Sequence, residues 1–167
     1  QIDLDIMKPS QDLADVTSRV LLGLRDTLAK TKPHAVLVHG DTSTGLATAM
    51  AAFYAGIPVG HVEAGLRTHD MLAPFPEEFN RQVISKIARW HFAPTEKSQS
   101  NLLAEGIDPG KIWVTGNTVI DALLWTLKRS ESRGSGDQAT PLLNAQLAFD
   151  WRHNPFLLMT GHRRENF

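Results

Sequence analysis

Residues 35–63 read AVLVHGDTSTGLATAMAAFYAGIPVGHVE, and this stretch decides the fold class. The apolar residues 35–38 predict a short buried strand, and the alanine-rich residues beyond the next polar loop predict a helix that Gly56 ends. Residues 57–62 predict a second strand with Pro58 at its start, where a missing backbone N–H is tolerated. Two strands joined by a helix are typical of a parallel crossover in an α/β protein.

The same alternation of helices and strands extends outward from this stretch. Ser10 is the predicted N-cap of a helix that runs to about Lys30, because apolar residues recur at helical spacing between them. Further helices are predicted at 77–88, 94–106 and 118–128, and further strands at 90–93, 112–114 and 156–159. The pattern predicts an α/β fold with a Rossmann-like parallel sheet and flanking helices.

Polar clusters follow four of the predicted strands. They are residues 39–44, 61–68, 115–118 and 160–166. In a parallel α/β sheet the carboxyl ends of the strands meet at one edge, and ligands bind there. We therefore expect these clusters to converge on one site.

Composition narrows the classes of function. The 167 residues carry 17 Lys and Arg against 18 Asp and Glu, a net charge of −1. That balance gives no overall field to hold nucleic acid or an anionic membrane, so we expect neither as a partner. The chain has no cysteine, which excludes disulfides and thiolate catalysis. It begins at Gln1 and stops after a dense polar cluster, and we expect it to be a piece of a longer chain.

Three carboxylates in the strand-following segments are candidates for acid–base chemistry. Asp41 follows the first strand, and its alternative role is a helix cap, for which neighbouring hydroxyls already compete. Glu63 ends an apolar strand, where His61 or Arg67 could instead make it half of a structural ion pair. Glu77 opens a helix, where an acid complements the helix dipole without any functional role.

The surroundings of Glu77 leave two interpretations open. Arg81 follows at i+4, a spacing that favours a surface ion pair along the helix. The preceding residues 74–76 read Pro-Phe-Pro, which stiffens the approach and fixes where Glu77 points.

His162 is a candidate at the far end of the chain. With Arg163 it follows the last predicted strand, where free backbone N–H groups and positive charge suit a phosphate. The alternative is a solvated basic turn. The chain lacks G-x-G-x-x-G after a strand, G-x-x-x-x-G-K-[ST] and H-E-x-x-H, so we expect no dinucleotide cofactor and no metal.

Five sequence blocks, taken in order, resemble one family. They are VHGDTSTGLATAMAAFYAGIPVGHVEAGLRTHD (38–70), PFPEEFNRQ (74–82), HFAPTEKSQSNLLAEGI (91–107), VTGNTVIDAL (114–123) and TGHRREN (160–166). Together they resemble the non-hydrolysing UDP-N-acetylglucosamine 2-epimerases of bacteria. The resemblance extends from about Pro33 to Phe167, apart from the segment 130–140.

The resemblance implies a two-domain GT-B arrangement, in which two Rossmann-like domains face each other across a cleft. Residues 1–130 would be the latter part of the first domain, 131–140 a linker, and 141–167 the truncated start of the second. Residues 130–140 read SESRGSGDQAT, and this small, polar composition is typical of a linker. We expect an internal piece of the enzyme that is inactive alone.

The resemblance also implies the chemistry. The family interconverts UDP-N-acetylglucosamine and UDP-N-acetylmannosamine for bacterial cell-surface polysaccharides, without a cofactor, by eliminating UDP to 2-acetamidoglucal and adding it back. Asp41, Glu63 and Glu77 match its catalytic carboxylates, and His162 matches a histidine acting at the leaving group. Asp41, Glu63 and His162 would thereby contact the substrate, and Arg163 falls where some members contact a second, activating substrate molecule. The implied complete enzyme is a cytoplasmic homodimer.

Two other functions stay open at this point. A GT-B glycosyltransferase shares the architecture and the UDP-sugar but transfers the sugar to an acceptor. A non-catalytic piece would instead bind a partner through apolar surface that truncation exposes. The sequence does not assign the individual carboxylates to the two faces of the sugar ring.

Overall fold

The computed structural model describes residues 2–132 and 139–159 of the chain. Its helices are α1 (Leu13–Thr31), α2 (Ser43–Tyr54), α3 (Glu77–Ile87), α4 (Glu96–Ala104), α5 (Thr118–Ser132) and α6 (Ala139–Gln146). Its strands are β1 (Val36–His39), β2 (Val59–Val62), β3 (Trp90–Ala93) and β4 (Ile112–Val114), with a 3₁₀ turn at Pro109–Lys111. The chain divides into two units, Gln1–Thr118 and Val119–Phe167.

The four strands of the first unit form one parallel sheet in the order β1-β2-β3-β4. Across the sheet Val38 lies opposite His61, His61 opposite His91, and His91 opposite Ile112. Because all four strands run in the same direction, the segments that follow β1, β2 and β4 leave from the same edge. The predicted α/β class with a parallel sheet and flanking helices is confirmed.

The main core lies between the sheet and helices α1, α2 and α3. Ala49 and Ala52 of α2 are fully buried, and their small side chains let this helix lie close to its neighbours. Around them pack Leu28, Val38, Leu46, Ala51, Val59 and Ile84. Burying a Val, Leu or Ile side chain stabilises the fold by about 1.5–3 kcal/mol each. A second cluster of Ala64, Ala93, Leu102 and Ile112 fixes α4 against β3 and β4.

The first helix begins two residues later than predicted. Asp12 is its N-cap: the Asp12 carboxylate accepts from the N–H of Asp15, and the Asp15 carboxylate accepts from the N–H of Asp12. This reciprocal pair satisfies two N–H groups that the helix leaves free. Ser10 has a left-handed φ of +60° and precedes the helix, so the predicted Ser10 cap is wrong.

The second unit contains most of α5 and all of α6. Both helices enter the predicted linker, since α5 ends at Ser132 and α6 begins at Ala139, while residues 133–138 lie outside the described part. Residues 155–159 form no strand, and Leu157 is 98% exposed. The prediction of a buried strand at 156–159 is therefore wrong: a strand needs a partner for its backbone groups, and none pairs with it among the described residues.

Candidate active site

Glu63 follows β2 in an unusual backbone conformation. Its φ is +67°, in the left-handed region where any side chain other than glycine is disfavoured. Its Oε2 lies 3.4 Å from Nε2 of His39, at the end of β1. The same oxygen would be 3.4 Å from a Cβ built on Gly40, so the carboxylate lies directly beside the β1–α2 loop.

Asp41 occupies that loop and is not the helix cap. Thr42 takes the role, its Oγ1 accepting from the N–H of Gly45 at 3.1 Å. The Asp41 carboxylate accepts instead from Nη2 of Arg81, and the Asp41 carbonyl accepts from Nδ2 of Asn80 at 2.7 Å. Both donors come from α3, so the loop after β1 is attached to that helix.

Glu77 is the first residue of α3, and Pro76 before it provides no side-chain cap. Its Oε2 is buried and has no hydrogen-bond partner in the part of the chain that the structure describes. The predicted i,i+4 pair with Arg81 is not formed, because Arg81 pairs with Asp41 and with Glu78. A buried carboxylate oxygen without a donor is costly, and such groups concentrate at functional sites.

The structure brings three segments together at the carboxyl edge of the sheet. Glu63 lies beside Gly40, Asp41 is tied to α3, and Glu77 begins that helix. The cluster after β4 reaches the same place, since Oγ1 of Thr118 lies 3.3 Å from Nε2 of His39. His162 and Arg163 lie outside the described residues.

His61 and Arg67, the two residues expected as partners of Glu63, are engaged elsewhere. Nε2 of His61 donates to the Gly40 carbonyl at 2.8 Å. Burial lowers the pKa of His61 to about 4, so the ring is neutral. Nε and Nη2 of Arg67 donate to the two carboxylate oxygens of Glu105 at 2.5 and 2.9 Å. The structural ion pair considered for Glu63 is thus formed by Glu105, which leaves Glu63 available at the edge.

Glu78 is a supporting residue that sequence reasoning missed. It is fully buried and accepts from the backbone N–H groups of Thr68 and His69, at 3.0 and 3.2 Å, and from Nε2 of Gln82. Burial raises the pKa of its carboxyl, but these donors and the Arg81 guanidinium outweigh burial and hold the pKa below its usual range. Glu78 therefore anchors the long loop after β2 to α3 as a carboxylate. The only sequence signal was its position in the first turn of a helix.

The described part of the chain was compared with two other kinds of functional feature, a metal site and a membrane span. Among residues 2–132 and 139–159, no three His, Asp or Glu side chains are grouped so that they could hold a metal ion. In the same part of the chain, no helix combines the length and apolar character needed to cross a membrane.

Comparison with known proteins assigns the chain to a family. The family model for UDP-N-acetylglucosamine 2-epimerase matches residues 1–167. The UDP-N-acetylglucosamine 2-epimerases of Escherichia coli K12 and Salmonella typhimurium are 52% and 53% identical over 165 residues, which cover 99% of this chain and 43% of each relative.

Solved structures give the same result. The Neisseria meningitidis UDP-GlcNAc 2-epimerase bound to UDP-GlcNAc is 49% identical, with a TM-score of 0.79, over 87% of this chain and 40% of that one. The Methanocaldococcus jannaschii enzyme in complex with UDP-GlcNAc and UDP is 42% identical, with a TM-score of 0.75, over 81% and 36%.

The likeness to these solved structures confirms the predicted fold class, a Rossmann-like parallel sheet with flanking helices of the GT-B type of nucleotide-sugar enzyme. Within that class, the chain belongs to the UDP-N-acetylglucosamine 2-epimerase family. The chain spans about two fifths of the length of the relatives it matches.

Proposed function

We propose that the complete protein carrying this chain interconverts UDP-N-acetylglucosamine and UDP-N-acetylmannosamine, with Asp41, Glu63 and Glu77 as its acid–base groups. Family membership supports epimerisation, and two solved relatives hold UDP-GlcNAc. The observation that carries the residue assignment is the left-handed Glu63, held beside the Gly40–Asp41 loop at the sheet edge. Residues held in strained backbone conformations cluster at active sites, and this supports a role for Glu63 in the chemistry.

The reaction has to invert a carbon whose hydrogen is barely acidic, because C2 of the sugar is not next to a carbonyl. Elimination avoids that problem. A base takes the C2 proton, the C–H electron pair forms the C1–C2 double bond, and the C1–O bond breaks with its electrons leaving on UDP. In the return step a diphosphate oxygen bonds to C1 and an acid delivers a proton to the opposite face of C2.

Such a cycle needs acid–base groups on two faces of the sugar. The three carboxylates come from three different segments, the β1–α2 loop, the end of β2 and the start of α3. Carboxylates from separate segments are suited to such a cycle, because each can be positioned independently of the others.

Further parts of the proposal rest on the family resemblance. His162 would act at the leaving diphosphate, and Arg163 would contact a second substrate molecule. Residues 1–130 would belong to the first domain, 131–140 to the linker and 141–167 to the second domain. The complete enzyme would be a cytoplasmic homodimer serving cell-surface polysaccharide synthesis.

The test uses a chimera in which this chain replaces the matching 165 residues of the E. coli relative. The chimera is incubated with UDP-GlcNAc in D₂O, and deuterium at C2 is measured by mass spectrometry. Asp41→Asn and Glu63→Gln should each slow incorporation by about 10²–10⁴-fold. Asp26→Asn is the matched control, because Asp26 is an exposed carboxylate on α1 that pairs with its neighbour Arg25. Unchanged incorporation in both site variants would remove these residues from the chemistry.

A further inference from the structure

We propose that Arg81 and Asn80 are positioning residues that fix the direction of the Asp41 carboxylate, a role that rests on the acid–base function proposed for Asp41. The two residues are consecutive in α3, and they donate hydrogen bonds to two different atoms of Asp41. Arg81 donates to its carboxylate and Asn80 to its backbone carbonyl. One contact would leave the side chain free to rotate, whereas the two together fix both the backbone and the carboxylate.

Both of the donating side chains are buried. Asn80 is 2% exposed and Arg81 is 8% exposed, so surrounding protein limits the movement of both side chains. The Asp41 side chain is 27% exposed, so it is the more solvent-accessible member of the Asp41–Arg81 pair. The Asp41 carboxylate is therefore held by a buried donor and is still partly accessible to a ligand.

Arg81 is itself held by a second carboxylate. Its Nη1 lies 3.4 Å from Oε2 of Glu78, and Glu78 is anchored by the N–H groups of Thr68 and His69. The guanidinium thus bridges a fixed acid and the candidate catalytic acid. A planar guanidinium can contact both at once through separate nitrogens, whereas a lysine ammonium is a point charge at the end of a flexible stem.

The arrangement sets the spacing within the site. Glu77 begins the same helix that carries Asn80 and Arg81, so α3 ties two of the three candidate carboxylates into one rigid body. Acid–base groups that serve opposite faces of a sugar need a fixed separation. A misplacement of about 1 Å in such a group lowers the rate by about 10²-fold.

The experiment is a double-mutant cycle in the chimera, read by deuterium incorporation at C2 of UDP-GlcNAc. Arg81→Lys keeps the charge and should lower kcat by about 10–100-fold while changing KM by no more than about twofold. In the Asp41→Asn background the same substitution should have no more than about a twofold effect, because the group it positions is already disabled. Arg25→Lys is the matched control, since that pair is exposed on α1.

Equal losses from Arg81→Lys in both backgrounds would overturn the positioning role, because Arg81 would then act independently of Asp41. An unmutated chimera that is folded by circular dichroism and binds UDP-GlcNAc, yet incorporates no deuterium, would instead refute the proposed function. A second measurement needs no turnover: ¹³C NMR of the Asp41 carboxyl in the chain itself. The chemical shift of this carboxyl should change in Arg81→Lys and stay the same in Arg25→Lys. An unchanged chemical shift in Arg81→Lys would refute the contact between Arg81 and Asp41.

Discussion

Glu63 holds a left-handed backbone conformation that its side chain disfavours by about 1–2 kcal/mol relative to glycine. Replacement by glycine removes that strain but loosens the unfolded chain. We expect Glu63→Gly to raise the free energy of unfolding by about 0.5–1 kcal/mol, measured by urea denaturation. In the chimera the same substitution should abolish deuterium incorporation at C2.

Lys32 provides the matched control for this prediction. It is the left-handed C-cap of α1, with a φ of +44° and no part in the candidate site. Lys32→Gly should stabilise the chain to a similar extent and leave incorporation unchanged. A destabilised Glu63→Gly chain, or one that stays active in the chimera, would contradict the view that strain is retained there for chemistry.

His61 makes stability depend on pH. Burial lowers its pKa from 6.5 to about 4, so as the pH falls the unfolded chain takes up a proton before the folded chain does. Its stabilising contribution is complete above pH 6.5 and is lost progressively down to pH 4. Between pH 7.5 and 5 the loss is about 2 kcal/mol.

His91, which lies opposite His61 in the sheet, also has its pKa lowered by burial and adds to the same fall. We therefore expect the change in unfolding free energy between pH 7.5 and 5 to be about 2 kcal/mol smaller in His61→Gln than in the unmutated chain. His34→Gln, at an exposed position, is the control for replacing a histidine. Equal pH dependence in all three chains would show that folding does not lower the pKa of His61.

The sequence identified the candidate carboxylates because each follows a strand or opens a helix, which is a local property. It failed on their partners. Spacing offered Glu77, four residues away, as one partner for Arg81, but the structure pairs Arg81 with Asp41, 40 residues away. Position offered Arg67 as one partner for Glu63, but Arg67 pairs with Glu105, 38 residues away. Spacing within a helix gives near candidates only, whereas the sheet brings distant loops together.

At the scale of elements, one glycine sets how closely the end of β2 approaches α4. A Cβ built on Gly65 would lie 2.2 Å from the Ser98 carbonyl oxygen, and the φ there is +90°. We expect Gly65→Ala to destabilise the chain by about 3 kcal/mol or more, the sum of backbone strain and overpacking. Urea denaturation of the purified chain measures the effect.

Gly56 provides a control that distinguishes backbone strain from overpacking. It also has a positive φ, +69°, but a Cβ there would meet nothing within 4 Å. Gly56→Ala should therefore show the strain alone, about 1 kcal/mol. Equal losses at the two positions would mean that α4 moves away freely and that its close approach is not fixed.

The elements themselves were predicted well in the first unit, because strand and helix periodicity reflects burial on one face. All four of its strands lie within two residues of the predicted positions. The strand predicted at 156–159 failed for a physical reason. An apolar run such as Phe156–Met159 forms a strand only against a neighbour, and sequence pattern does not show whether that neighbour is present.

At the scale of the whole molecule, acid–base groups of the kind proposed for this chain account for only part of an enzyme's rate enhancement. Positioned acid–base groups contribute about 10²–10⁴-fold, whereas enzymes accelerate reactions by at least about 10⁶-fold. The remainder comes from holding the substrate and stabilising the departing diphosphate. His162, which the resemblance assigns to the leaving group, lies outside the described residues, and the chain spans 43% of the E. coli relative.

We therefore expect the 167-residue chain alone to incorporate no measurable deuterium into UDP-GlcNAc under conditions in which the chimera does. Both proteins are assayed at equal concentration in D₂O, with the Asp41→Asn version of each as the control. Incorporation by the chain alone that Asp41→Asn abolishes would contradict this expectation. It would mean that the sheet edge around Asp41 and Glu63 binds the sugar and releases the diphosphate unaided, and the acid–base groups would then carry more of the catalysis than their usual share.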